Sequence, residues 1–248
     1  MRKKSEDLSG LLKRWSYDPA RTIRRIQTAS GREVLQVRLP LGIEQYELRG
    51  RPDGKRPEGC ESWLHYYQKK RRALESEFLL EKKDCEKLSA EAMLYYYRYL
   101  LFFQTGEYAL CARDTARNLR LLEFVARHAS KPEHCETLEQ YRPYILRMNI
   151  MARTLRRLEQ KKDLRAAVRS LRIGIEAVRS LPSLDGNQVF DFERDRSIKS
   201  LEDLSRQLER QLPVSRFDVL KKEMEEAISR EDYEKAATIR DQIRKISE

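Results

Sequence analysis

Histidine is scarce in this 248-residue chain, with three copies (His65, His128 and His134), and the four cysteines form no CxxC pair. Zinc knuckles need such pairs, because two ligands must reach one ion from a single turn. His134 and Cys135 stand side by side after Pro132, but two adjacent ligands do not make a metal site. No metal and no cofactor is therefore expected. The phosphate-cradling GxxxxGK[ST] of P-loop ATPases is missing, as are GxSxG, HExxH and a dinucleotide-type GxGxxG. His65, in SWLHYYQKKRR, reads as a packing or capping residue rather than a base. The acidic residues mostly lie three or four positions from a Lys or Arg, a spacing that supports helices rather than catalysis. A non-enzymatic protein is the expectation.

Long apolar runs are missing too. The longest candidate, AMLYYYRYLLFF, is interrupted by Arg98 and falls short of the ~20 residues that cross a bilayer. No membrane partner is expected. The opening MRKKSEDLSG has no apolar leader stretch, so the expected compartment is the cytoplasm. Cys60, Cys85, Cys111 and Cys135 recur about every 25 residues, which suits one small buried hydrophobe per helix.

Glycine (9) and proline (8) are few, while charged residues reach 37%. A mixture rich in Leu, Arg, Glu, Lys and Ala favours helix over sheet. Twelve Tyr, seven Phe and two Trp are enough aromatics for a real core, which argues against wholesale disorder. The expected fold is mainly α: a helical-hairpin, repeat-like body with a small N-terminal β-hairpin and a C-terminal antiparallel helical hairpin. By residue, these are a basic segment with the hairpin (1–60), a helical body (61–195), a connecting helix (196–215) and the terminal hairpin (216–248).

Near the N-terminus, LSGLLKRW reads as helical. Val34 to Leu39 and Ile43 to Leu48 carry β-formers around Pro40-Leu41-Gly42, predicting a two-stranded hairpin, with a turn at PDG, residues 52–54. A lone hairpin is marginal in water, so its apolar face should pack on the helical body or on another chain. Beyond it the periodicity predicts helices near 61–86, 90–104, 107–129, 137–160, 163–181 and 196–211. Ser89 and Glu107 are candidate helix starts, and LPSLDGNQVFDFERD, residues 181–195, is a candidate linker pinned by Val189, Phe190 and Phe192. Two helix pairs share a tight acidic turn, at Gly106-Glu107-Tyr108 and at Lys162-Asp163-Leu164. In each a small residue, Cys111 or Ala167, comes three positions after the Tyr or Leu. This resembles the helix–turn–helix unit of tetratricopeptide repeats, although the two turns are too far apart in sequence and the usual Trp and Pro positions are not matched.

The net charge of +11 is unevenly spread: Arg216 to Glu248 carries −1 and the first 215 residues carry +12. A basic body suits a solvated Arg-rich helical surface or an acidic partner such as nucleic acid. WSYDPARTIRRIQ interleaves Trp15 and Tyr17 with Arg21, Arg24 and Arg25. Between Arg153 and Arg172, eight basic residues, among them Arg156, Arg157 and Arg165, stand against two acidic ones. Such segments neutralise phosphates without reading sequence. Arg24, Arg25, Arg156, Arg157 and Arg165 are the candidate nucleic-acid contacts.

After Pro213, Ser215 and Asp218 have the spacing of a capping box. A first helix to about Ser229 places Leu220, Met224, Ala227 and Ile228 on one face. Arg230-Glu231-Asp232 forms a turn, with Asp232 able to cap a second helix. That helix places Tyr233, Ala236, Ala237, Arg240 and Ile243 on one side, with Ile239 beside them. The pattern of Leu220, Met224, Ala227, Asp232-Tyr233, Glu234, Ala236, Ala237, Arg240, Asp241 and Ile243 resembles the UVR motif, the short helical hairpin of the excision-repair proteins UvrB and UvrC. Tyr233 stands where that family often has Phe. In the family the hairpin pairs with a like hairpin in a partner or second copy, and it also occurs in Clp-type chaperone subunits and their adaptors. The resemblance implies a bacterial protein and a docking role for this segment. Leu220, Met224, Ala227, Tyr233, Ala236, Ala237 and Ile243 would supply the apolar seam, and Arg240 and Asp241 charge pairs at its rim. The helicase motifs of UvrB, the nuclease domains of UvrC and the adaptors' zinc-binding cysteine pairs are all missing. The partner class expected is therefore a protein, or a second copy of the chain, and the processes the resemblance implies are DNA repair or protein quality control.

Overall fold

The computed structural model describes residues 7–74, 78–213 and 216–247. It divides into two compact units, Met1–Ser205 and Arg206–Glu248. The fold is mainly helical, with a small antiparallel sheet near the N-terminus and a C-terminal helical hairpin.

In the first unit, helix α1 (Ser9–Arg14) leads into a three-stranded antiparallel sheet, β1 (Ile23–Gln27), β2 (Glu33–Leu39) and β3 (Gly42–Glu47), in that spatial order. The β2–β3 hairpin forms around Pro40-Leu41 as expected, with Leu35 opposite Tyr46 and Val37 opposite Glu44. β1 is an addition to that expectation. It pairs with β2 in the register Ile23 to Val37 and Arg25 to Leu35. Arg38 of β2 is 5% exposed and anchors the N-terminal helix, its Nε donating to the Trp15 carbonyl at 2.7 Å.

The helical part consists of α2 (Trp63–Ala73), α3 (Lys82–Gln104), α4 (Tyr108–His128), α5 (Glu133–Glu139), α6 (Arg142–Lys161), α7 (Leu164–Arg179) and α8 (Gln188–Glu209). α3 packs on α4, α4 on α6, and α6 on α7. The apolar face of the sheet does pack on this body. Leu35, Val37, Tyr46 and Leu48 share a buried cluster with Tyr99 and Phe102 of α3, Cys111 and Ala112 of α4, and Met148 and Ala152 of α6. A second cluster joins Leu64 and Tyr67 of α2 to Cys85, Leu88 and Ala92 of α3, with Leu121, Leu122 and Val125 of α4.

Four element boundaries differ from the sequence reading, each for a physical reason. The expected 61–86 helix ends at Ala73, and the chain runs extended through Leu74. Leu80 then bridges to Ala129, its N–H donating to the His128 carbonyl at 2.7 Å, which seats Phe78 and Leu80 in the core. α3 starts at Lys82 rather than near residue 90. The Glu81 N–H donates to Asp84 Oδ2 at 3.2 Å as part of a capping box, so Ser89 lies inside the helix. The expected 137–160 helix is two helices, because Pro143 sits in the first turn of α6, where a missing N–H is harmless. α8 begins at Gln188, inside the stretch read as a linker: the Asn187 side chain accepts the Phe190 N–H at 3.0 Å, and Phe190 is 1% exposed. Val189 and Phe192 remain exposed.

The two acidic turns form as predicted. Gly106 takes φ +74° at the end of α3, and Lys162 takes φ +51° after α6, where Asp163 accepts the Ala166 N–H at 2.9 Å. Cys111 and Ala167 are both buried where the paired helices meet. All four cysteines are free thiols, with Cys85 and Cys111 buried. Among the described residues no helix is long and apolar enough to cross a membrane.

The second unit contains the antiparallel pair α9 (Arg216–Ser229) and α10 (Tyr233–Ser247). The Ser215–Asp218 capping pair lies outside the described residues.

Candidate functional site

The turn between α9 and α10 is built by backbone hydrogen bonds. The Asp232 N–H donates to the Ala227 carbonyl at 2.9 Å and the Glu231 N–H to the Ile228 carbonyl at 3.0 Å. These two bonds, with Glu231 at φ +59°, make a Schellman-type helix end in which a non-glycine residue holds the left-handed position. Asp232 then caps α10, its Oδ1 accepting the Lys235 N–H at 3.1 Å. The chain reverses within three residues, so the helices must run antiparallel.

Burial divides the predicted seam residues into three groups. Leu220, Ala227 and Ala236 are buried at 4–8% exposure, together with Ile239 at 5%. Met224, Ala237 and Ile243 are half-buried. Tyr233 is 68% exposed at the start of α10, and Ile228 at the end of α9 is 48% exposed. The helix–helix contact is therefore made by small residues and two aliphatics. Tyr233, placed in the seam by the sequence reading, projects outward at the tip. Ile239 takes the buried place that periodicity put at the edge of that face; its spacing of three from Ala236 was the available signal. Arg240 and Asp241 are both exposed and pair with each other, Nη2 to Oδ1 at 3.1 Å.

The five candidate nucleic-acid contacts do not form one patch of free cations. Arg24 stacks on the Trp15 ring at 3.8 Å and donates twice to Gln36 Oε1, at 2.8 and 3.0 Å. Arg25 pairs with Glu107. Both guanidinium groups are thus committed to holding β1 against its neighbours. Arg156 and Arg157 near the end of α6, and Arg165 at the start of α7, are exposed and form no ion pair among the described residues. The three flank the turn at Lys162, on the end of α6 and the start of α7.

No group of three His, Cys, Asp or Glu residues able to hold a metal occurs among the described residues. His134 Nδ1 lies 3.3 Å from Ser130 Oγ, and the Cys135 thiol donates to the Pro132 carbonyl at 2.9 Å. His65 is exposed on α2, its backbone N–H capped by Ser62 Oγ at 3.1 Å.

No curated protein and no solved structure matches the chain. Residues 218–248 match the UvrB/uvrC motif, a segment found in UvrB, UvrC and related proteins and involved in protein interaction and DNA repair. The match falls on the antiparallel pair α9–α10, and the chain therefore carries a UVR motif at its C-terminal end.

Proposed function

We propose that this chain is a non-enzymatic bacterial interaction protein that docks onto other proteins through its C-terminal hairpin, as an adaptor in DNA repair or protein quality control. The observation that carries this reading is the coincidence of the UVR match with a compact two-helix unit whose largest aromatic is left outside. Residues 218–248 match the motif, and Tyr233 is 68% exposed at the tip. A pair of helices with two alanines and few aliphatics in its interior has little core of its own, and gains stability by covering apolar surface with a partner. An exposed tyrosine beside an exposed isoleucine gives that partner a large amphipathic contact at low entropic cost.

The occupant that fits is another two-helix hairpin of the same pattern, supplied by a partner protein or by a second copy. The segment from Arg216 carries −1 while the remainder carries +12, so hairpin-to-hairpin pairing avoids the repulsion that two bodies would impose on each other. A pull-down comparing the intact chain with one ending at Leu212 tests this. Partner recovery should be lost with the hairpin and reduced by Tyr233→Ala alone; equal recovery from all three chains overturns the reading.

A second reading has one observation in its favour, the unpaired and exposed Arg156, Arg157 and Arg165 around the α6–α7 turn. A salt-dependent shift of the chain on duplex DNA, lost in the triple alanine variant, supports phosphate-backbone binding there. No binding at ~50 mM salt, where phosphate contacts are strong, removes it.

A further inference from the structure

Arg113, Arg117 and Arg120 are spaced by four and three residues and so share one face of α4. That face meets Arg98 of α3 and Arg49, which follows β3, around a cavity of about 400 Å³. His65 and Gln68 of α2 add further donors, and Glu61 and Asp114 contribute carboxylates.

The five arginines fall into two sets. The inner set is fixed by buried partners. Arg98 donates to both oxygens of Asp114, at 2.7 and 3.0 Å, and to the carbonyls of Glu47 and Gly50, at 2.6 and 3.0 Å. Arg113 donates to Asp114 Oδ1 at 2.9 Å and to the Leu48 carbonyl at 2.8 Å. Arg117 pairs with Glu91, which also accepts the Trp63 and Leu64 N–H groups at 2.7 and 3.2 Å. The Tyr95 ring lies under two of these groups, 4.0 Å from Arg117 and 4.9 Å from Arg98. The outer set, Arg49 and Arg120, is exposed and has no hydrogen bond or ion pair among the described residues.

Carboxylates Asp114 and Glu91 are spent on orienting the inner arginines, so the lining keeps an excess of positive charge that Glu61 offsets only in part. One fork-shaped guanidinium satisfies a planar carboxylate. Cations converging from the loop after β3, from α3 and from α4 instead suit an anion with acceptors on several sides, and a phosphate presents three such oxygens. The volume of about 400 Å³ lies in the range of small-ligand sites.

We propose that this cavity binds a phosphomonoester of a small molecule, with Arg49 and Arg120 closing on the phosphate at its mouth and Arg113 and Arg117 meeting it on the wall. The site lies wholly within the first unit and is independent of the C-terminal hairpin. Its inner arginines are held ready by Asp114 and Glu91, so binding requires ordering of only the two outer side chains.

Isothermal titration of the full chain with inorganic phosphate, adenosine 5′-monophosphate and citrate, at matched ionic strength, tests the proposal. Phosphate stabilises proteins generically by exclusion from their surface, so direct binding rather than melting temperature is the readout. Both phosphate probes should bind, and Arg49→Ala/Arg120→Ala should weaken them about tenfold or more. Both positions are exposed, and Arg120→Glu alone provides a second variant with the same expected loss. Lys82→Ala/Lys83→Ala, exposed at the start of α3, should leave binding intact. Tighter binding of the nucleotide identifies an organic monoester as the ligand, and equal binding identifies free phosphate; either outcome supports the site. Absence of binding, citrate binding as tightly as phosphate, or equal affinity in the Arg49/Arg120 variant overturns it.

Discussion

Arg98 of α3 and Asp114 of α4 form a two-bonded ion pair at 2.7 and 3.0 Å with both side chains 1% exposed. The same guanidinium donates to the Glu47 and Gly50 carbonyls, so one buried cation fastens the end of the sheet to two helices. Removing one partner leaves the other charged and buried. Asp114→Ala should therefore cost about 3–5 kcal/mol of stability. Asp114→Leu combined with Arg98→Met should cost less than the sum of the single changes, because no lone charge remains. Trp15 and Trp63 both lie in the first unit, so denaturant unfolding followed by tryptophan fluorescence reads this effect directly.

Gly174 of α7 lies tight against Ile150 of α6. A Cβ placed there would lie 2.6 Å from Ile150 Cγ2 and 3.0 Å from its Cδ1. Both atoms belong to one side chain packed between helices, so Gly174→Ala should destabilise the chain by about 1–3 kcal/mol through overpacking, despite the better helix propensity of alanine. Adding Ile150→Ala should recover part of the loss, a coupling measured by a double-mutant cycle in urea.

Alkaline pH should erode stability through buried groups that resist ionisation. Burial pushes the Cys111 thiol up from 9.0 to about 12, and burial with the neighbouring Asp84 pushes Cys85 up to about 11. Burial also raises Tyr46, Tyr67, Tyr99 and Tyr144. Above pH 9 the unfolded chain loses these protons first and the folded chain retains them, so stability is complete below that point and falls as pH rises through 11 to 12. Unfolding midpoints measured from pH 7 upward should decline over that window, and Cys111→Ala should flatten part of the decline. In the folded chain a thiol reagent should label the half-buried Cys60 before Cys85 or Cys111.

Local signals in the sequence located the elements that local chemistry determines. Pro40 to Gly42 marked the β2–β3 turn, Asp163 marked the start of α7, and Asp232 with the paired alanines marked the α9–α10 hairpin. β1 was hidden because IRRIQ has no regular alternation; it is held by pairing to β2 and by Arg24 lying between Trp15 and Gln36. The early start of α3 was masked by the continuous charge of the region, in which Glu81 and Asp84 look like any other surface acids. Tyr233 shares a helical face with Ala236 and Ala237, so periodicity placed it in the seam. A two-helix unit is too thin to cover the first residue of α10, and the ring stays outside. The arginine cavity left no motif, because its arginines come from three parts of the chain that only the packing of α3, α4 and the loop after β3 brings together.

The most direct test of the docking role is the recovery of bound protein by the intact chain, by Tyr233→Ala and by the chain ending at Leu212, each confirmed as folded. A well-covered tyrosine is worth ~2 kcal/mol at an interface. Binding should therefore fall by more than tenfold in Tyr233→Ala and vanish in the shortened chain. The recovered partner should in turn bind through a two-helix hairpin of its own. Undiminished binding by the chain ending at Leu212 would contradict the account.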